Sequence, residues 1–164
     1  MKAVADSSVL ISLSSIGQHS LLPRRFPSGI LIPKAVWQEV VENGQGRSGA
    51  GEIASAEWIS VCEVTDRSFV SLLRGELDEG EAEAIALARQ ERLSVVLLDE
   101  KHARRVAQEL ELQVLGTVGV LLWARRVGLI ASLREQLDAL QTRGGFRLSL
   151  AVVQEALRTA GENE

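Results

Sequence analysis

The stretch that most constrains the fold runs from Leu77 to Arg105, LDEGEAEAIALARQERLSVVLLDEKHARR. An alanine-rich segment of helical periodicity leads into an unbroken apolar run, Val95-Val96-Leu97-Leu98, and Asp99 stands where that run stops. Successive apolar residues without polar alternation describe a strand buried on both faces, the usual condition in a parallel sheet. In the preceding helix, the i, i+3, i+4, i+7 spacing puts Glu81 on one face with Ala84, Ile85 and Ala88. One carboxylate therefore lies on an apolar helix face and a second at the tip of a buried strand. Burying an unpaired carboxylate is costly, so each needs a cation, a hydrogen-bond donor or water.

The rest of the chain repeats the alternation of strand and helix. Lys2-Ala3-Val4-Ala5 is a short apolar stretch ending in Asp6-Ser7-Ser8, and Leu10, Leu13 and Ile16 then recur at helical spacing. At this point Asp6 reads equally as a helix N-cap or as a functional acid at a second strand tip. Gln18 to Phe26 reads as a short helix broken by Pro23 and stopped by Pro27, and Gly29-Ile30-Leu31-Ile32 as a buried strand. Pro33 opens a helix from Lys34 to Asn43, where its missing N–H matters little. That helix turns Val36, Trp37, Val40 and Val41 inward, with Glu39 on the border of its polar face.

Asn43 to Gly51 is a glycine-rich loop whose Gly44, Gly46 and Gly49 fit G-x-G-x-x-G by letter alone. A dinucleotide fingerprint must follow a strand and open a helix, and this stretch follows a helix. Beyond it come a helical turn at Glu52–Glu57, a strand at Trp58–Val64 and an amphipathic helix over 66–75. After the central stretch, the spacing predicts a helix from Glu100 to Leu110, a strand at Val114–Leu115 and a helix from Gly116-Thr117 through Arg126. Helices over Ala131–Thr142 and Leu148–Ala160 follow, separated by Gly144-Gly145. We expect one domain over 1–160 and a disordered tail over 161–164. The pattern implies an α/β domain with a mainly parallel sheet and helices on both faces. In such sheets, ligands sit beyond the carboxyl ends of the strands, near a topological switch point.

Bulk properties exclude several classes. A single cysteine, Cys62, cannot form an internal disulfide and is expected as a small core residue. Met1-Lys2-Ala3-Val4-Ala5 reaches Asp6 before an apolar leader core can form, and no apolar run is long enough to cross a bilayer, so a cytoplasmic location is expected. The formal net charge is −4, which alone would disfavour a nucleic-acid partner. Four acids gathered at one metal site would leave the remaining charges balanced, so global charge does not decide the matter.

Those four acids are Asp6, Glu39, Glu81 and Asp99. If they converge, their repulsion calls for divalent cations, and oxygen ligands suit hard ions such as Mg²⁺ or Mn²⁺. Such ions orient and activate water for in-line displacement at a phosphodiester. His19, His102 and Cys62 lack zinc-ligand spacing, and His102 is expected as a polar surface residue. Neither a G-x-S-x-G elbow nor a P-loop is present.

Asp6-Ser7-Ser8, Ile32-Pro33-Lys34-Ala35-Val36-Trp37-Gln38-Glu39, Gly80-Glu81-Ala82-Glu83-Ala84 and Leu98-Asp99 resemble, in order, the acidic motifs of PIN-domain proteins. Within that superfamily the chain is most similar to a prokaryotic, VapC-like subgroup with a GEAEA helix and a later segment like Gly116-Thr117-Val118-Gly119-Val120-Leu121-Leu122. The resemblance implies a three-layer α/β/α PIN-like fold and a Mg²⁺- or Mn²⁺-dependent ribonuclease acting on single-stranded or structured RNA. It also implies a small antitoxin partner and a homodimer. By position, Asp6, Glu39, Glu81 and Asp99 would bind metal and carry catalysis, with Ser7 or Ser8 as a supporting hydroxyl. Two features depart from the pattern: a glutamate stands at position 81 where many such toxins have aspartate, and no Ser or Thr directly precedes Asp99.

RNA would also need phosphate contacts, for which Lys34, Arg47, Arg104 and Arg105 are candidates, together with Arg24-Arg25 and Arg125-Arg126. No aromatic stacking platform is legible. The competing expectation is a non-catalytic PIN-like module that binds nucleic acid or a protein.

Overall fold

Ala3-Val4-Ala5, only three residues, form the middle strand of the molecule. This strand, β1 (Ala3–Ala5), pairs in parallel with β2 (Ile30–Pro33) on one side and β4 (Val95–Leu97) on the other. The structure, a computed structural model, describes residues 1–162. With β3 (Ile59–Cys62) beyond β2 and β5 (Gln113–Leu115) beyond β4, the sheet has the order β3-β2-β1-β4-β5, all parallel. The chain winds outward through β2 and β3, then returns to the far side of β1. The switch point therefore falls between β1 and β4, at whose carboxyl ends Asp6 and Asp99 stand.

Strand alternation divides the core into two layers. Ala3, Ala5, Ile30, Ile32, Val95 and Leu97 face one side. There they meet α1 (Ser7–Ser15), α2 (Leu21–Arg25) and α8 (Thr117–Arg126), with α9 (Leu133–Thr142) and α10 (Leu150–Thr159) completing the layer. Val36, Val40 and Ile53 join that side from α3 (Lys34–Trp37), the π-helical segment that continues it (Gln38–Glu42) and α4 (Ala50–Ala54). Val4, Leu31, Val96 and Leu98 face the opposite side. They pack on α5 (Arg67–Leu73), α6 (Glu79–Gln90) and α7 (Lys101–Glu109). The expected three-layer α/β/α arrangement is thus the one found.

Helix α6 differs from the single-faced helix its periodicity suggests. Every residue from Gly80 to Ala88 is buried, because α3, α5 and the sheet enclose it. Small side chains at 82, 84, 86 and 88 let it lie close to its neighbours. Two glutamates are consequently buried, and Glu83 accepts Ala35 N–H at 3.0 Å while pairing with Arg67 at 2.8 Å. The strand expected over Trp58–Val64 is shorter and lies at the sheet edge, leaving Cys62 half-buried rather than in the core.

The expected disordered tail covered 161–164. Glu162 is tied down: its carboxylate accepts Leu133 N–H at 2.7 Å and Arg134 N–H at 3.1 Å, and pairs with Arg125 Nε at 2.8 Å. Positions 163 and 164 lie outside the described residues. Among the described residues, no helix is long and apolar enough to cross a membrane.

Candidate metal centre

The site is assembled where β1 and β4 end. Asp6 N–H donates to Leu97 C=O at 3.0 Å, which locks the first acid to the tip of the neighbouring strand. Although Asp6 occupies the N-cap position of α1, its side chain makes no capping bond, so it is free to face the recess. The two serines that follow reach outward to the other acids. Ser7 Oγ donates to Glu39 Oε1 at 2.5 Å, and Ser8 Oγ donates to Asp99 Oδ2. Asp99 has a second holder, Thr117, whose N–H reaches Oδ1 and whose hydroxyl reaches Oδ2, each at 2.7 Å. Gly116 makes room for this: a Cβ there would sit 3.0 Å from Asp99 Oδ1.

Glu39 lies in the π-helical segment that follows α3, beyond the carboxyl end of β2. A π turn adds a residue to the ladder and rotates the face that follows, a device concentrated at functional sites. Here Val40 stays buried while Glu39 is exposed towards Ser7.

The third wall is the N-terminus of α6. Asp78 Oδ1 accepts Glu81 N–H at 2.8 Å, and Glu81 Oε1 accepts Asp78 N–H at 3.1 Å, a reciprocal capping box. One oxygen of Glu81 is thereby engaged. Between them sits Gly80, and its lack of a side chain is itself structural. A Cβ there would lie 3.1 Å from Asp6 Oδ1, 3.5 Å from Glu39 Oε1 and 3.7 Å from Asp78 Oδ1. Carboxylate oxygens of Asp6, Glu39 and Asp78 thus lie close around the Cα of Gly80, where a side chain would crowd Asp6.

Such crowding is electrostatically unfavourable. Burial pushes the Asp6 carboxyl up to about 8, and the charges of Asp78, Glu81 and Glu39 add to the rise against the opposing Ser7 N–H. Asp6 is only 7% exposed. Glu81 is also raised, first by burial and then by Asp78, Glu100 and Glu39, with the Asp78 N–H opposing. A hard divalent cation is the natural counter-charge for this donor set. Among the described residues, no three carboxylates already stand in ligating geometry around one point, so ligation requires rotation of the longer side chains. The all-oxygen donors and the space beside Gly80 fit Mg²⁺ or Mn²⁺.

The recess has a volume of about 530 Å³ and includes Asp6, Glu39, Asp78, Glu81, Asp99 and Glu100 in its lining. All four acids singled out in the sequence therefore border it, with Ser7 and Ser8. Lys34 and Arg47 do not line it: Lys34 borders a separate pocket with Arg67 and Glu83, and Arg47 is exposed in the glycine loop. Arg104 and Arg105 project from α7 just outside. Three contributors escaped the sequence reading. Asp78 carries the letters of an ordinary helix cap, and Thr117 is eighteen residues beyond the acid it holds. Phe146 arrives from the loop after α9, where Gly144 and Gly145 let the chain approach α1 closely.

The family model described as PIN domain, DUF3368, matches residues 2–162, nearly the whole described chain. The chain belongs to the PIN-domain family. No curated protein matches it. A PIN domain is a nuclease-type module that binds nucleic acid and typically uses divalent metal ions. In this PIN domain, the GEAEA segment supplies Glu81 to the recess and uses Glu83 to anchor α3 through Ala35. The Gly116-Thr117 pair that opens α8 serves Asp99.

Proposed function

We propose that this PIN domain is a metal-dependent endoribonuclease that hydrolyses RNA phosphodiester bonds. The observation that carries the reading is the convergence of Asp6, Glu39, Asp78, Glu81 and Asp99 on one recess, with Gly80 keeping a side chain out of their midst. Asp6, Glu39, Glu81 and Asp99 would hold one or two Mg²⁺ or Mn²⁺ ions. A bound ion supplies an activated water and neutralises charge on the phosphate. The protein's part is positioning: Asp6 and Asp99 stand on strand tips, while Ser7, Ser8 and Thr117 fix the carboxylates of Glu39 and Asp99. Hydrolysis forms one bond from water oxygen to phosphorus and breaks one phosphorus–ester bond, a water proton ending on the leaving oxygen. Phe146, half-buried in the lining of the recess, would be the aromatic residue to stack on a nucleobase.

The likeness to VapC-type proteins extends the proposal to a cytoplasmic toxin that forms a homodimer and is restrained by a small antitoxin. One observation favours the non-catalytic alternative, a module that only binds: Glu81 Oε1 is already engaged by Asp78 N–H. Purified protein incubated with mixed single-stranded RNA decides between them. Fragments in Mg²⁺ or Mn²⁺ that vanish in EDTA support hydrolysis, and intact RNA under all conditions refutes it.

A further inference from the structure

A groove of about 460 Å³ runs along α7 immediately outside the acidic recess, lined by Glu100, Lys101, His102, Arg104, Arg105 and Gln108. Glu100 borders both cavities, so the groove adjoins the recess. The charge reverses across that boundary: carboxylates on one side, three cations on the other. Lys101 and Arg104 have no ion-pair or hydrogen-bond partner for their side chains among the described residues. Arg104 is also close to the acids. Its Nη1 lies 3.7 Å from the position a Cβ would take at Gly116, which is itself 3.0 Å from Asp99 Oδ1.

Arg105 is held differently. Its Nη2 lies 2.9 Å from His102 Nδ1, and His102 Nε2 lies 3.0 Å from Glu76 Oε1. A guanidinium only donates, so Nδ1 is the acceptor, Nε2 carries the proton, and His102 donates to Glu76. This relay holds Arg105, which lines the groove, and reduces the rotamer freedom that binding would otherwise remove.

We propose that α7 is a phosphate-binding ledge that carries the RNA strand beside the scissile phosphate, with Lys101, Arg104 and Arg105 contacting consecutive backbone phosphates. The inference rests on the nuclease reading of the adjoining recess. An acidic centre repels a polyanion everywhere except at its metals, so affinity has to come from cations next to it. A ledge of this kind reads phosphates and carries no sequence preference of its own.

The test is fluorescence anisotropy of a labelled single-stranded oligouridylate with the full chain in EDTA, across a salt series. Wild type is expected to bind with an affinity that falls steeply with salt. Arg104→Ala and Arg105→Ala should each reduce the log–log salt slope by about 0.7 and weaken low-salt binding several-fold. Arg104→Lys should keep the slope, because it keeps the charge. Arg92→Asn is the control, since Arg92 lies before β4 at the opposite end of the strands. Unchanged slopes in both alanine variants would overturn the ledge, as would RNA cleavage by a wild-type protein that shows no binding in EDTA. A wild-type protein that neither binds nor cleaves RNA would overturn the proposed function itself, and the ledge with it.

Discussion

Thr117 holds Asp99 by both oxygens of its carboxylate, N–H to Oδ1 and hydroxyl to Oδ2, each at 2.7 Å. Thr117 is fully buried, so neither donor can be replaced by bulk water. Hydrogen bonds to a charged acceptor contribute more than neutral ones, and removing one leaves the acceptor short. Thr117→Val retains shape and the N–H but deletes the hydroxyl. We expect it to destabilise the fold by about 2 kcal/mol. Because such holders orient metal ligands, Mn²⁺ affinity should fall roughly tenfold or more. Thermal denaturation and calorimetric titration measure the two effects, and unchanged metal affinity would remove Thr117 from the site.

Gly80 gives a prediction in which stability and function move apart. Replacing a helical glycine with alanine ordinarily gains up to about 1 kcal/mol. Here the new Cβ would crowd Asp6 Oδ1 at 3.1 Å and fill the position ringed by Glu39 and Asp78. Gly80→Ala should therefore reduce Mn²⁺ affinity, while its melting temperature in EDTA stays close to that of wild type because the crowding of Asp6 offsets the helical gain. Equal metal binding by both proteins would show that the space serves no ligand.

At the other end of the molecule, Glu162 ties the C-terminus to α9 and α8. Burial pushes its carboxyl up, but the Leu133 and Arg134 N–H groups and Arg125 outweigh that and hold it below its ordinary value of 4.5. A carboxyl lowered on folding contributes stability above its unfolded value and loses it as pH falls through the folded one. Glu162→Gln should cost about 1 kcal/mol near neutral pH. Melting curves of the two proteins should converge as pH falls below about 4.5. A constant difference across that range would show the contact is not ionic.

Much of the fold was legible because burial on both faces leaves a simple mark. Val95 to Leu98 reads as a buried strand from its letters, and the parallel sheet and the place of Asp99 follow. Glu39 was legible only as a border residue, since the π turn that presents it has no letter pattern distinct from an α-helix. Asp78 was hidden by its second role, as any aspartate before a helix reads as a cap. The contact of Ser8 with Asp99 spans 91 residues and depends on β1 lying beside β4. Strand order is set by how helices pack across the sheet, which local spacing does not encode. The same reason hid Phe146, brought to the rim by the packing of α9 and its glycine loop.

The Asp6 carboxyl is buried, pushed up to about 8 by that burial, and surrounded by other acids. Asp6→Asn removes that charge at nearly constant shape. In EDTA at alkaline pH the variant should melt higher than wild type, roughly 2–4 °C for each kcal/mol of repulsion and desolvation relieved. A lower melting temperature would mean that Asp6 stabilises the fold through a partner.

The most direct test of the account is calorimetric titration of Mn²⁺ into wild type and into Asp6→Asn, with folding of both verified. We predict saturable binding by wild type and its loss in the variant. Wild type that takes up no ion at millimolar Mn²⁺, or a variant that binds as tightly as wild type, would contradict the assignment of this recess as a metal centre.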